Sequence, residues 1–333
     1  MATLKDVAQQ AGVSVSTASY VLNGKKKVRW DTEQKILRAA TEVGYIPNQA
    51  ARGLRIGRSH TVGIIIPDIT NVFFPDIVRG VEDILHVENY NAILCNSDNN
   101  SDKEYQYVNT LVSKDIDGII FIGTAKSRDV LEIASRKPVV LVDRIIEDRY
   151  SSVTAKNYIG GFLATEHLIR CGYRRIALFS GPLYAAPFQD RLRGHQDALR
   201  KYGIPEDPDL LFECDNTDIY HGYHTTVALL QSSLKADSIF AANDLLAFGA
   251  LRVLWKAGIS VPEEFGIVGY DDIMQAALGT PALTTIHQPK YEMGQEAARL
   301  LLQQIRNQDC TCQHITLEPT LVVRETTRAL EET

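Results

Sequence analysis

Apolar positions change their period near residue 60. Before it they keep helical spacing: Leu4, Val7, Ala8 and Ala11 fall at i, i+3, i+4 and i+7, a stripe one helix face wide. Thr3 stands where an N-cap would, Asp6 answers it three residues on, and Gly12 ends the stripe with a sharp turn. Ser14 caps a second helix with apolar positions at Val15, Ala18, Val21 and Leu22, closed by Asn23-Gly24. A third stripe, Ile36, Leu37, Ala40 and Val43, begins at Asp31 or Thr32 and stops at Gly44. Three short helices, the first two joined by a tight glycine turn, predict a helix-turn-helix head.

Beyond residue 60 the chain alternates short apolar runs with helical stretches. Val62–Ile66, Ala92–Cys95, Gly118–Phe121 and Val139–Val142 form one set; Arg175–Phe179, Ser238–Ala241 and Gly266–Gly269 form a second. Continuous apolar strands between helices predict α/β architecture with parallel sheets covered on both faces, here in two similar lobes dividing near residues 155–165. Each run ends on a polar residue: Asp68, Asn96, Thr124, Asp143, Ser180, Asn243 and Asp271. Open α/β sheets bind ligands beyond the carboxyl ends of their strands, so two facing lobes predict a cleft. Some of these residues then contact a ligand, while others only cap or turn.

Charge sharpens the division. Residues 1–58 hold ten Lys/Arg against four Asp/Glu, a surplus of +6, which leaves −12 on the rest of a chain whose net charge is −6. A basic head on an acidic body confines attraction for phosphate to one end. No run of about 18 apolar residues exists to span a membrane, and the N-terminus turns polar too early for a signal peptide. The expectation is a cytoplasmic protein. Cys95, Cys171, Cys214, Cys310 and Cys312 are scattered; Cys310-x-Cys312 with His314 is too tight for the usual zinc geometry, so no metal is expected. No GxGxxG follows the first strand, and no Walker loop, HExxH or GxSxG occurs, which removes the commonest enzyme readings and their cofactors.

The head also carries a family signature. Leu4-Lys5-Asp6-Val7-Ala8, Ala11 to Ser19, Val21-Leu22-Asn23, Gly44-Tyr45-Ile46-Pro47-Asn48 and Ala50-Ala51-Arg52-Gly53-Leu54 resemble the lactose/galactose repressor (LacI/GalR) family, its purine and ribose repressors most of all. The resemblance implies a DNA-binding domain at 1–47, a hinge helix and linker at 48–60, and an effector-binding, dimerising body of periplasmic-binding-protein type at 61–333. Lobe one would take about 61–160 and 290–320; lobe two, about 161–289 and the C-terminal end.

The second helix of such a head lies in the major groove. Ser16 and Tyr20 are then candidates for base contact; Val15 and Thr17 either touch bases or pack and cap. Asn23 belongs to the same signature. Lys25–Lys27 would position the protein on phosphate without reading sequence. By resemblance the hinge orders on DNA, with Arg52 at the duplex and Leu54 wedged into the minor groove of a pseudo-palindromic operator; the alternative is a plain linker.

In the body, Asp68-Ile69-Thr70-Asn71-Val72-Phe73-Phe74 matches a loop whose aromatic packs on the ligand. Arg191, Asn243, Asp271 and Gln288 match ligand-binding positions, and Asp143 joins them from its strand end. Arg191 and Asp271 could equally form an ion pair across the cleft. Tyr184-Ala185-Ala186-Pro187-Phe188 lacks the basic and hydroxyl residues of a purine-binding member, which favours a sugar effector. Open alternatives are a phosphocarrier protein as corepressor, or a sugar-binding protein without a regulatory role. Partners implied are operator DNA, a small effector and a second copy of the chain.

Overall fold

The computed structural model describes residues 2–22, 28–45, 58–123, 128–145, 149–307 and 311–330, which divide after Ser59 into two compact units. In the first, α1 (Leu4–Ala11) opens on the expected capping box: the Thr3 N–H donates to the Asp6 carboxylate (2.7 Å), and the Asp6 N–H to the Thr3 hydroxyl. Gly12, at φ +66, turns the chain into α2 (Val15–Leu22), where the Thr17 N–H donates to Ser14 Oγ (3.1 Å). The third helix, α3 (Trp30–Glu42), starts before Asp31 and Thr32, and Arg29 precedes it without a side-chain cap. Val7, Ala8, Ala18, Ile36, Ala39 and Ala40 form the shared core of this unit.

The second unit contains two sheets. The first runs in the order β11-β5-β4-β3-β1-β2, with β1 (Thr61–Ile66), β2 (Asn91–Asn96), β3 (Gly118–Phe121), β4 (Val139–Val142), β5 (Ser151–Ala155) and β11 (His314–Leu317), all parallel. Val62, Ile64 and Ile66 pack under α4 (Phe73–Val87) and α12 (Lys290–Arg306). Ile65 faces the other side, with residues of α5 (Ser101–Ser113) and α6 (Arg128–Ala134).

The second sheet runs β12-β10-β9-β8-β6-β7: β6 (Ile176–Ser180), β7 (Leu211–Glu213), β8 (Ser238–Ala241), β9 (Gly266–Asp271) and β10 (Thr285–His287) are parallel, and β12 (Thr320–Val322) is antiparallel to β10. Its faces are covered by α7 (Asn157–Arg170) with α8 (Ala186–Lys201), and by α9 (Ile219–Gln231) with α10 (Asp244–Ala257). The short α11 (Met274–Leu278) follows β9. The chain passes between the sheets three times, at 155–157, 287–290 and 317–320.

Three helix pairs cross at reciprocal glycines. A Cβ on Gly161 would stand 2.2 Å from the Arg191 carbonyl oxygen, and one on Gly194 2.1 Å from that of Tyr158. Gly80 with Gly294, and Gly222 with Gly249, do the same for α4·α12 and α9·α10. Backbones can touch there only because no side chain intervenes.

Two strand readings need correction. Ala92–Cys95, read as buried, forms a sheet edge on which Ile93 and Leu94 stay exposed and only Cys95 is buried. β5, β7, β10, β11 and β12 carry no run of four or more apolar residues and escaped the pattern.

Candidate functional site

On α2, Val15, Ser16 and Tyr20 are exposed while Ala18 is buried in the core of the head. One face thus carries a methyl-bearing side chain, a hydroxyl and a phenol, groups able to read base edges. Thr17 is only partly exposed, and its hydroxyl lies 2.7 Å from that of Ser14, in the cap. Trp30, 70% exposed at the start of α3, was not singled out in the sequence. Asn23, Arg52, Leu54 and the Lys25–Lys27 run lie outside the described residues.

The body holds a cavity of about 660 Å³ where the carboxyl ends of the two sheets face each other. Lobe one contributes Asp68, Asn71, Phe74, Asp98, Asp143 and Arg144; lobe two contributes Tyr184, Phe188, Asp215 and Asp218. The volume suits a small organic ligand.

Phe74 is on the wall, but Phe73 is not. Phe73 turns into the core, 4% exposed, with its ring edge-on to Phe74 at 5.2 Å. Asn243 is also off the wall, contrary to expectation. It caps α10 by accepting from the Leu246 N–H (2.9 Å), and its amide donates to the Thr217 carbonyl (2.7 Å).

Arg191, Asp271 and Gln288 form a buried network behind the wall instead of lining it. Arg191 Nε donates to Asn157 Oδ1 (2.8 Å), Nη1 donates to the Ala242 carbonyl, and the guanidinium stacks on Tyr270, 3.6 Å from the ring centroid. The Tyr270 hydroxyl donates to the same Asn157 oxygen (3.3 Å). Gln288 Nε2 donates to Asp271 Oδ1 (2.7 Å), and Lys290 donates to the carbonyls of Asp271 and Asp272. No ion pair joins Arg191 to Asp271 among the described contacts, so the cross-cleft pair is replaced by stacking and amide bridges.

Asp143 and Arg144 sit at the mouth of this network. Burial raises the Asp143 carboxyl to about 6; the Arg191 charge draws it back, while Asp271 pushes it further up. Burial lowers the Arg144 guanidinium, opposed by Glu104 and Asp143. Among the described residues, the buried side-chain polar atoms without a hydrogen-bond partner are Asp143 Oδ1, Arg144 Nη1 and Gln288 Oε1. One acceptor and one donor on the wall, with a second acceptor just behind it, are left for something else to satisfy. The backbone agrees: Asp143 holds φ 58 and Asp271 φ 110, the latter a conformation costing about 1–3 kcal/mol, kept where surrounding structure enforces it. Sequence reading missed Arg144, Asn157 and Lys290. Arg144 had a signal, a cation directly after Asp143 at the end of a wholly apolar strand.

With the geometry in place, comparison with known proteins is direct. Residues 3–48 match the family described as bacterial regulatory proteins, lacI family. Residues 59–323 match the one described as periplasmic binding proteins and sugar binding domain of LacI family. The ribose operon repressor of Escherichia coli K12 is 35% identical over 97% of this chain and 99% of its own. A LacI family regulator from Enterococcus faecium, solved with bound ribose, is 35% identical with a TM-score of 0.74, over 81% of this chain and all of that one. The lac repressor dimer bound to operator and the anti-inducer ONPF gives a TM-score of 0.88 at 27% identity, over 98% and 99% of the two chains. The two matched segments together take in the capped α2 head and the two-sheet body with its cleft, and the whole-length relatives repress transcription rather than catalyse reactions. The chain belongs to the lacI family of bacterial regulatory proteins, DNA-binding transcriptional repressors.

Proposed function

We propose that the chain acts as a homodimeric repressor whose hold on operator DNA is set by a small sugar, a pentose such as ribose, seated between the lobes. The observation that carries this is the set of orphaned polar atoms, Asp143 and Arg144 on the cavity wall and Gln288 behind it, beside a wall that also carries the aromatic rings of Phe74, Tyr184 and Phe188. A sugar offers vicinal hydroxyls that both donate and accept, and a C–H face that lies on an aromatic ring. The ribose-bound relative supports the same ligand class. Arg191, Asp271 and Gln288 then serve as the rigid backing that orients Asp143, and tighten when the lobes close.

At the head, Ser16 and Tyr20 read base edges, Val15 meets a thymine methyl, and Thr17 fixes the start of the helix. Asn23, Arg52 and Leu54 complete the DNA contacts in this reading. Dimerisation is supported by the operator-bound relative, a dimer. It is supported also by large apolar side chains exposed on lobe two: Tyr220, Trp255, Met274 and Leu278. A twofold dimer matches a pseudo-palindromic site. Closure of the cleft on sugar would displace one lobe against the other and change how the two heads meet DNA; a coupling of about 1–3 kcal/mol suffices.

Isothermal titration of the full chain with ribose, other pentoses, hexoses and nucleosides tests the site. Binding of a pentose, strongly weakened by Asp143→Asn, is the expected result. A wild-type chain that binds no sugar in the panel would overturn the reading.

A further inference from the structure

The same cleft carries information about charge. Among the described residues its wall holds five carboxylates, Asp68, Asp98 and Asp143 from lobe one with Asp215 and Asp218 from lobe two, and a single cation, Arg144. Arg144 faces Glu104 as well as Asp143. Two further cations near these carboxylates are already engaged. Lys103 is ion-paired to Asp98, and Arg191 is tied to Asn157, Ala242 and Tyr270. An anionic ligand entering here meets an excess of like charge.

Sites for anionic ligands commonly use free N–H groups at helix starts. Among the described residues, five helix starts that approach the cavity are taken. In α4, Asn71 accepts from the Phe73 and Phe74 N–H groups. In α5, the Asn100 side chain accepts from those of Asp102 and Lys103. In α8, Pro187 has no N–H, and those of Phe188 and Gln189 bond to the Ala185 carbonyl. Asp218 caps α9 through the His221 N–H (2.8 Å), placing a carboxylate where a phosphate would sit. Asn243 caps α10.

We propose that the cleft selects uncharged polyhydroxy effectors and rejects sugar phosphates and sugar acids, with Asp98, Asp215 and Asp218 as the determinants of that choice. The inference rests on the cleft being the effector site. It adds the electrostatic class of the ligand, which orphaned hydroxyl partners alone leave open. Like-charge juxtaposition in a partly desolvated site costs enough to reduce affinity by roughly 100-fold.

The test is isothermal titration of the full-length protein, at fixed ionic strength, with matched pairs: ribose and ribose 5-phosphate, fructose and fructose 6-phosphate, glucose and gluconate. The expected result is binding of at least one neutral member, with its anionic partner weaker by about 100-fold or more. In the Asp98→Asn/Asp215→Asn double variant that gap should narrow to about tenfold or less. An anionic member binding as tightly as its neutral partner would overturn the inference. So would an unchanged gap in the double variant, which would make the exclusion steric and remove the carboxylates from it. Failure of every compound in every pair would instead strike the underlying assignment of the cleft.

Discussion

Asp143 answers two opposed demands. Its carboxylate accepts most strongly from sugar hydroxyls when ionised, yet burial favours the protonated form and raises it to about 6. Effector binding should therefore follow ionisation: strong above pH 6 and weakening as pH falls through it. A titration series should show affinity about tenfold lower at pH 5 than at pH 7. Asp143→Asn should flatten that dependence and lose most of the affinity, while leaving the fold intact, because an uncharged amide costs less to bury. A pH-independent wild type would remove Asp143 from direct ligand contact.

His195 makes the opposite case, a buried group with a purely structural role. Its Nδ1 lies 2.9 Å from Thr165 Oγ, and burial lowers it from an ordinary 6.5 to about 4. A depressed folded-state value contributes stability that is fully present above 6.5 and is lost as pH falls through 4. The contribution is about 3 kcal/mol. In denaturant titrations the lead of wild type over His195→Gln should shrink by that order between pH 7 and pH 4.

At the scale of elements, the glycine crossing of α7 and α8 links packing to the site. Arg191 lies on α8, and its own carbonyl is the atom that a Cβ at Gly161 would strike. Gly161→Ala should cost about 1–3 kcal/mol by overpacking. It should also shift Arg191 from Tyr270 and so weaken sugar binding, read as a lowered unfolding midpoint and a raised Kd in the same variant.

Legibility differed between elements for physical reasons. Runs such as Val139–Val142 announce a buried strand because nothing else explains four consecutive apolar residues. Ser151–Ala155 is equally buried but reads as a loop, since its polar atoms are satisfied by partners far along the chain: Ser151 Oγ by Gln304 (2.7 Å) and the Gln313 N–H, Ser152 Oγ by His314 Nδ1 (2.8 Å). The site shows the same division. Strand-end polarity located the cleft, but it could not separate Asp143, which faces the cavity, from Asn243, which spends both polar atoms on a cap and a loop. Nor could adjacency tell which of Phe73 and Phe74 turns inward; that depends on where α4 begins relative to β1.

At the scale of the whole molecule, the chain joins a unit with a surplus of basic residues to a larger acidic one. The head alone supplies phosphate attraction, so DNA affinity should fall steeply with salt while sugar affinity stays nearly constant. No helix among the described residues is long and apolar enough to cross a membrane. A cleft that closes can either release DNA or hold it, and the direction of the shift in operator affinity distinguishes the two.

The central claim, that a sugar in the cleft governs DNA binding at the head, is tested most directly by fluorescence anisotropy of a labelled palindromic operator. The full-length protein would be titrated onto it at fixed salt, with and without saturating ribose, and then with related pentoses and hexoses. The account requires one such sugar to change operator affinity by about 5- to 150-fold, and Asp143→Asn to bind operator normally while losing the response. Tight operator binding that no sugar alters would contradict it.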